Sequence, residues 1–251
     1  MSQMIKGIFF DLNGTLIDIL TTESDDAVWR TTANFLSYAG VMISFDKLKE
    51  SYFDLNKQQR RESKEEFPEF DVKKIFADII RQYAKPPLSP ETAEAKAAET
   101  AVVFRAASRL KLELYPGVRE VLEQLKNRYL LAAVSDGQTL WAVPEMRAAG
   151  LEEYFSIVTV SGDFGYRKPD LRMYRHALEH FSLKPQEVIF VGNDMYRDVF
   201  GAAQAGMQTV FFKSNQGDQS SHGTEADYII YHFSELLNAI AFLEEKSSGK
   251  L

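Results

Sequence analysis

The sequence predicts an α/β protein: a parallel sheet covered by helices on both faces, with an all-helical segment inserted after the first strand. Three observations predict it. From Tyr115 onward, short apolar runs alternate with helical segments, the pattern of parallel strands joined by crossover helices. Those runs are almost free of polar residues, as strands buried on both faces require. Between the first apolar run and Tyr115, about 90 residues read only as helix.

Taken in order, Ile5–Phe10 is a buried strand that ends in the turn Asp11-Leu12-Asn13-Gly14-Thr15. Ser24 and Asp25 suit the cap of a helix reaching Gly40, and a highly charged helix follows Phe45. Val72, Ile75, Phe76, Ile79, Ile80 and Tyr83 form one apolar stripe at helical spacing, stopped by Lys85-Pro86-Pro87. Ser89 is an N-cap with Pro90 in the first turn of a helix that runs to about Arg109. Pro116-Gly117 opens the next helix. Strands are predicted at 129–134, 157–160, 188–191, 208–212 and 228–231. Helices are predicted at 139–149, 170–180 and 195–205, with a last one to about Glu245. The polar stretch Ser214–Glu225 reads as a mobile loop.

Composition narrows the function classes. The 251 residues allow one or two domains and carry a net charge of −7 without a basic run, a poor match to nucleic-acid binding. There is no cysteine, so disulfides, thiolate metal sites and cysteine nucleophiles are excluded. No apolar stretch approaches the ~20 residues that span a bilayer. The amino terminus shows no secretory signal pattern, so a cytoplasmic protein without a membrane partner is expected. Oligomeric state is left open.

The chemistry-bearing residues sit at predicted strand ends, where ligands of parallel sheets bind. The first strand ends in Asp11, the 129–134 strand delivers Ser135 and Asp136, and the loop after the third strand delivers Lys168. Asn193, Asp194 and Asp198 follow the 188–191 strand. An aspartate nucleophile, a hydroxyl, a lysine and further carboxylates suit a phosphoryl group with Mg2+. Plain turn and helix-start roles are the competing readings of each residue taken alone.

Together these residues resemble the haloacid dehalogenase superfamily. Phe9-Phe10-Asp11-Leu12-Asn13-Gly14-Thr15-Leu16 looks like its first motif, Ser135 like the second and Arg167-Lys168-Pro169-Asp170 like the third. Val191-Gly192-Asn193-Asp194 with Asp198-Val199 and Gly201-Ala202 is similar to the fourth. The resemblance implies a Rossmann-like core of residues 1–16 and 111–251 and a helical cap of residues 17–110. It implies attack by Asp11 to form an aspartyl-phosphate. Thr15, Ser135, Asp136 and Lys168 would bind the phosphoryl group. Asp11, the Asn13 carbonyl, Asp194 and Asp198 would hold Mg2+, with Asp194 preferred over Asn193 as the direct ligand.

Asn13 departs from the family pattern. Phosphatases of this family carry there a second aspartate, which serves as general acid and then general base. An amide does neither. The expected activity is therefore a Mg2+-dependent phosphatase of small phosphorylated metabolites. The alternatives are a weak or inactive member that binds a phosphate ligand or partner, and a hydrolase of carbon–halogen or carbon–phosphorus bonds. Trp29, Arg30, Tyr52 and Phe53 of the cap are candidates for the substrate pocket or for cap core.

Overall fold

The computed structural model describes residues 4–221 and 223–247. Six parallel strands form the core: β1 (Gly7–Phe10), β4 (Leu130–Ser135), β5 (Ile157–Val160), β6 (Val188–Gly192), β7 (Gln208–Phe212) and β8 (Tyr228–Ile230). Their spatial order is β5-β4-β1-β6-β7-β8, which puts the first strand at the centre. Phe10 pairs with Ala133 of β4 and with Val191 of β6. The next residues in all three strands therefore emerge side by side at one sheet edge.

The remaining two strands contradict the all-helical reading of the insertion. β2 (Ile17–Thr21) and β3 (Arg109–Leu114) form an antiparallel ribbon at the base of the insertion. Ile17 and Ile19 pack into the core cluster, with Leu112 and Leu114 against it. The strict alternation Arg-Leu-Lys-Leu-Glu-Leu at 109–114 has the strand period of two.

Above the ribbon lie α1 (Asp26–Ser37), α2 (Phe45–Glu62), α3 (Val72–Tyr83) and α4 (Pro90–Ser108). Their N-caps are Asp25, Ser44, Asp71 and Ser89, each accepting a bond from a first-turn amide. Trp29, Tyr52, Phe76 and Phe104 are wholly buried at the centre of this cap. The core helices are α5 (Val118–Leu125), α6 (Thr139–Ala148), α7 (Leu171–Phe181), α8 (Gly201–Gln204) and α9 (Leu236–Ser247). Met195–Phe200, expected as α-helix, is a π-helical turn that runs into α8.

Cap and core are joined through α6. Trp141 packs in the cap cluster and donates its indole N–H to the Ala101 carbonyl at 2.9 Å. Arg105 of α4 makes a two-pronged bond to the buried Glu145, at 2.7 and 3.2 Å. A bidentate guanidinium–carboxylate pair fixes orientation as well as distance.

Candidate active site

Asp11 follows β1 and is buried. Its Oδ1 accepts from Lys168 Nζ at 2.7 Å, and its Oδ2 from Thr15 Oγ1 at 3.1 Å. Lys168 Nζ also donates to Asp198 Oδ1 at 2.7 Å and to the Val134 carbonyl at 3.0 Å, so its three protons have three acceptors. Burial pulls the Lys168 ammonium down, but the charges of Asp11, Asp198 and Asp136 outweigh it and hold its pKa above the ordinary lysine value. Burial pushes the Asp198 carboxyl up, against the pull of Lys168.

The second oxygen of Asp198 accepts from the amides of Asn193 and Asp194, both at 3.0 Å. Gly192 makes this approach possible, because a Cβ there would stand 2.2 Å from Asp198 Cβ. Asp198 thus clamps Lys168 to the end of β6.

Asp194, expected as a metal ligand, caps the turn after β6. Its Oδ1 accepts from the amides of Tyr196 and Arg197, at 3.1 and 2.7 Å. Its Oδ2 accepts from Arg197 Nε at 2.9 Å, Arg197 Nη2 at 2.6 Å and the Asp218 amide at 3.1 Å. Burial works against its charge, yet these donors hold its carboxyl below the usual range. Both oxygens are fully engaged as the cap of the π-helical turn.

Asn193 stands nearer the nucleophile. Its Oδ1 accepts from Thr15 Oγ1 at 2.9 Å, the same hydroxyl that reaches Asp11. Its amide also packs against Gly14, which has φ +90° and where a Cβ would lie 2.3 Å from Asn193 Nδ2. The sequence placed Asn193 beside the site but gave no sign of this contact.

Ser135 ends β4 and is buried, its hydroxyl bonded only locally to the Asp136 carbonyl at 3.3 Å. Asp136 Oδ1 accepts from the Lys168 amide at 3.0 Å. Its Oδ2 is buried without a hydrogen-bond partner, 3.8 Å from Arg197 Nη1. Burial pushes the Asp136 carboxyl up. Through Oδ1 the side chain of Asp136, expected at the phosphoryl group, braces the Lys168 loop.

Asp11 Oδ2 and Asn193 Oδ1 each accept only from the Thr15 hydroxyl among the described residues, and the Asn13 carbonyl lies two residues on from Asp11. All are hard ligands, and Mg2+ accepts such a set when water and substrate phosphate complete it. Among the described residues no cluster of three His, Asp or Glu side chains is arranged to hold a metal. In donor chemistry the residues present fit Mg2+: a carboxylate with neutral oxygens, completed by water and substrate.

Two further segments reach the site. The 214–225 loop, which its polarity marks as mobile, is bonded to its surroundings through Gln216 and Asp218. Met195 N–H donates to the Asp218 carbonyl at 2.8 Å, and Gln216 bonds Asp18 and the Ile19 carbonyl of β2. From the cap, residues 67–72 cross the loops that carry Ser135 and Lys168. The Arg167 amide donates to the Phe67 carbonyl, the Glu69 amide to the Gly165 carbonyl, and Gln138 bonds both Val72 N–H and Phe70 C=O.

Of the cap residues singled out in the sequence, Trp29 and Tyr52 are core. Phe53 packs beside them, with ring centroids at 5.6 and 5.4 Å. Arg30 is exposed and lies over the Phe45 ring.

A haloacid dehalogenase-like hydrolase model matches residues 5–206. The chain belongs to the haloacid dehalogenase-like hydrolases. It is 28% identical to glyceraldehyde 3-phosphate phosphatase of Pyrococcus furiosus over 242 residues, covering 95% of this chain and 94% of that one. It is 31% identical to the 5-amino-6-(5-phospho-D-ribitylamino)uracil phosphatase YigB of Escherichia coli, over 85% of this chain and 86% of that one. Among solved structures, 2-haloacid dehalogenase from Pseudomonas syringae superposes with TM-score 0.69 at 21% identity, over 95% of this chain and 99% of that one.

Proposed function

We propose that this hydrolase is a phosphomonoesterase of small phosphorylated metabolites that works through Asp11. One observation carries the reading. The Asp11 carboxylate is held between Lys168 and Thr15, at 2.7 and 3.1 Å, at the sheet edge where β4 ends in Ser135. The relatives named as phosphatases support it, and their substrates are small phosphate esters.

Asp11 attacks phosphorus as the bond to the ester oxygen breaks; the alcohol leaves as its oxyanion and takes a proton from water, and a second water then hydrolyses the aspartyl-phosphate, releasing phosphate and restoring Asp11. Ser135 and Thr15 donate hydrogen bonds to the phosphoryl oxygens. Lys168 balances the charge that gathers between the carboxylate and those oxygens. Asp11, the Asn13 carbonyl and Asn193 Oδ1 would hold Mg2+, which supplies charge neutralisation of the phosphoryl oxygens when bound. Asp198 fixes Lys168 and Asp194 fixes the turn after β6.

Asn13 offers no proton to the leaving oxygen and accepts none from water. That help is worth about 10²–10⁴-fold, so esters with good leaving groups should react best. Phosphate release with Mg2+ from p-nitrophenyl phosphate and from an alkyl phosphate tests this. The native chain turns over the aryl ester, Asn13→Asp gains on the alkyl ester by about 10²-fold or more, and Asp11→Asn releases none. Release from neither ester by any variant overturns the reading and turns attention to halide release.

A further inference from the structure

The loop Ser135-Asp136-Gly137 borders the phosphoryl site, and the cap holds it through one buried carboxylate. Glu69 lies in the cap segment between α2 and α3 and is 8% exposed. Its Oε2 accepts from Ser161 Oγ at 2.8 Å, in the turn after β5. Its Oε1 accepts from Phe70 N–H at 3.0 Å and from Arg60 Nη2 of α2 at 3.2 Å. Arg60 is itself steadied by Asn56 Oδ1 at 3.1 Å, one turn earlier on the same face.

Ser161 passes this contact to the loop. Its Oγ accepts the Gly137 amide at 2.8 Å, while its proton goes to Glu69. The Gly162 amide donates to the Gly137 carbonyl at 2.8 Å. These segments meet so closely that a Cβ on Gly162 would stand 2.7 Å from the Gly137 oxygen. A relay of cap guanidinium, cap carboxylate, core hydroxyl and loop amide therefore ends two residues from Ser135. Burial pushes the Glu69 carboxyl up, and its bonds from Ser161, Phe70 and Arg60 pull it back.

Sealing the cap alone does not call for a buried carboxylate. The 67–72 segment is already joined to the core by main-chain bonds and by Gln138. A carboxylate without its donors is expensive to bury, so Glu69 is comfortable only when Ser161 and Arg60 are both in place.

We infer that Glu69 is a positioning residue: through Ser161 it sets the Ser135-Asp136-Gly137 loop for the phosphoryl group, adding the seated cap to the core bonds that already hold this loop. The inference rests on the phosphoryl site proposed above. Ser135 touches the phosphoryl group there, and Glu69 acts at a distance through a hydroxyl.

A double-mutant cycle tests it, with inorganic phosphate in the presence of Mg2+ as the probe. Glu69→Gln, Ser161→Ala and the double variant are titrated by calorimetry, and hydrogen exchange is followed across residues 135–138. Each single change is expected to weaken phosphate binding about tenfold. The double variant should bind no more weakly than either single one, because both cut the same relay. Exchange at 135–138 should quicken in all three. Additive losses, or exchange at 135–138 equal to that of the native chain, overturn the inference. If the native chain binds no phosphate, the proposed phosphoryl site fails. The exchange measurement then still decides whether Glu69 orders the loop.

Discussion

Lys168 and Thr15 fix both oxygens of Asp11, while Asn193 sets a neutral amide against the same Thr15 hydroxyl. Asn193 keeps a hard oxygen beside Asp11 but brings no charge. Asn193→Asp should therefore lower the Mg2+ concentration at half-saturation by about tenfold or more, since ligand charge count sets affinity for hard cations. Calorimetric titration checks this without recourse to turnover. Asp194 makes the opposite prediction. Asp194→Asn should leave the Mg2+ midpoint in place and destabilise the fold by about 1–3 kcal/mol, through loss of charge-assisted bonds. Because its carboxyl is held below the usual aspartate range, this stability is present above that range and is lost as pH falls through the depressed value. Urea denaturation at neutral pH should show the full gap between native and variant, and the gap should close in acid. The motif spacing brought both residues to the end of β6. It did not reveal which one faced Thr15, because that depends on the π-helical turn that draws Asp194 to Arg197.

At the scale of elements, the strands and helices of the core were legible because burial on both faces and helical periodicity leave plain marks. The β2–β3 ribbon was not, although Leu110, Leu112 and Leu114 alternate strictly with charged residues. A long helical pattern on either side masked a period of two. The 214–225 segment misled in another way. It is polar, but its polar groups are bonded to β2 and to the turn after β6. Gly217 seats it, with φ +82° and a notional Cβ only 2.3 Å from the Asn193 carbonyl. Gly217→Ala should lift the loop, and amide exchange at Met195 and across 214–221 should quicken while exchange in β1, β4 and β6 does not change. Slow exchange in the variant loop would mean that other contacts seat it.

For the whole molecule, the helical insertion and the parallel sheet were readable because each carries its own apolar pattern. How they meet was not. Trp141 belongs to a core helix yet fills the cap cluster, and Glu69 belongs to the cap yet bonds the turn after β5. Such contacts join residues far apart in the chain and leave no local signature. The resulting architecture closes a helical cap over a sheet edge where Asp11, Ser135 and Lys168 converge. On the proposed function, Asp11 takes the phosphoryl group and Asn13 leaves the adduct slow to hydrolyse. Rapid mixing with p-nitrophenyl phosphate and Mg2+, followed by acid quench and peptide mass analysis, tests that claim directly. A burst of p-nitrophenol close to one per chain is expected, with a phosphoryl adduct on the peptide containing Asp11. Turnover without a burst and without that adduct, or an adduct on any other residue, would contradict it.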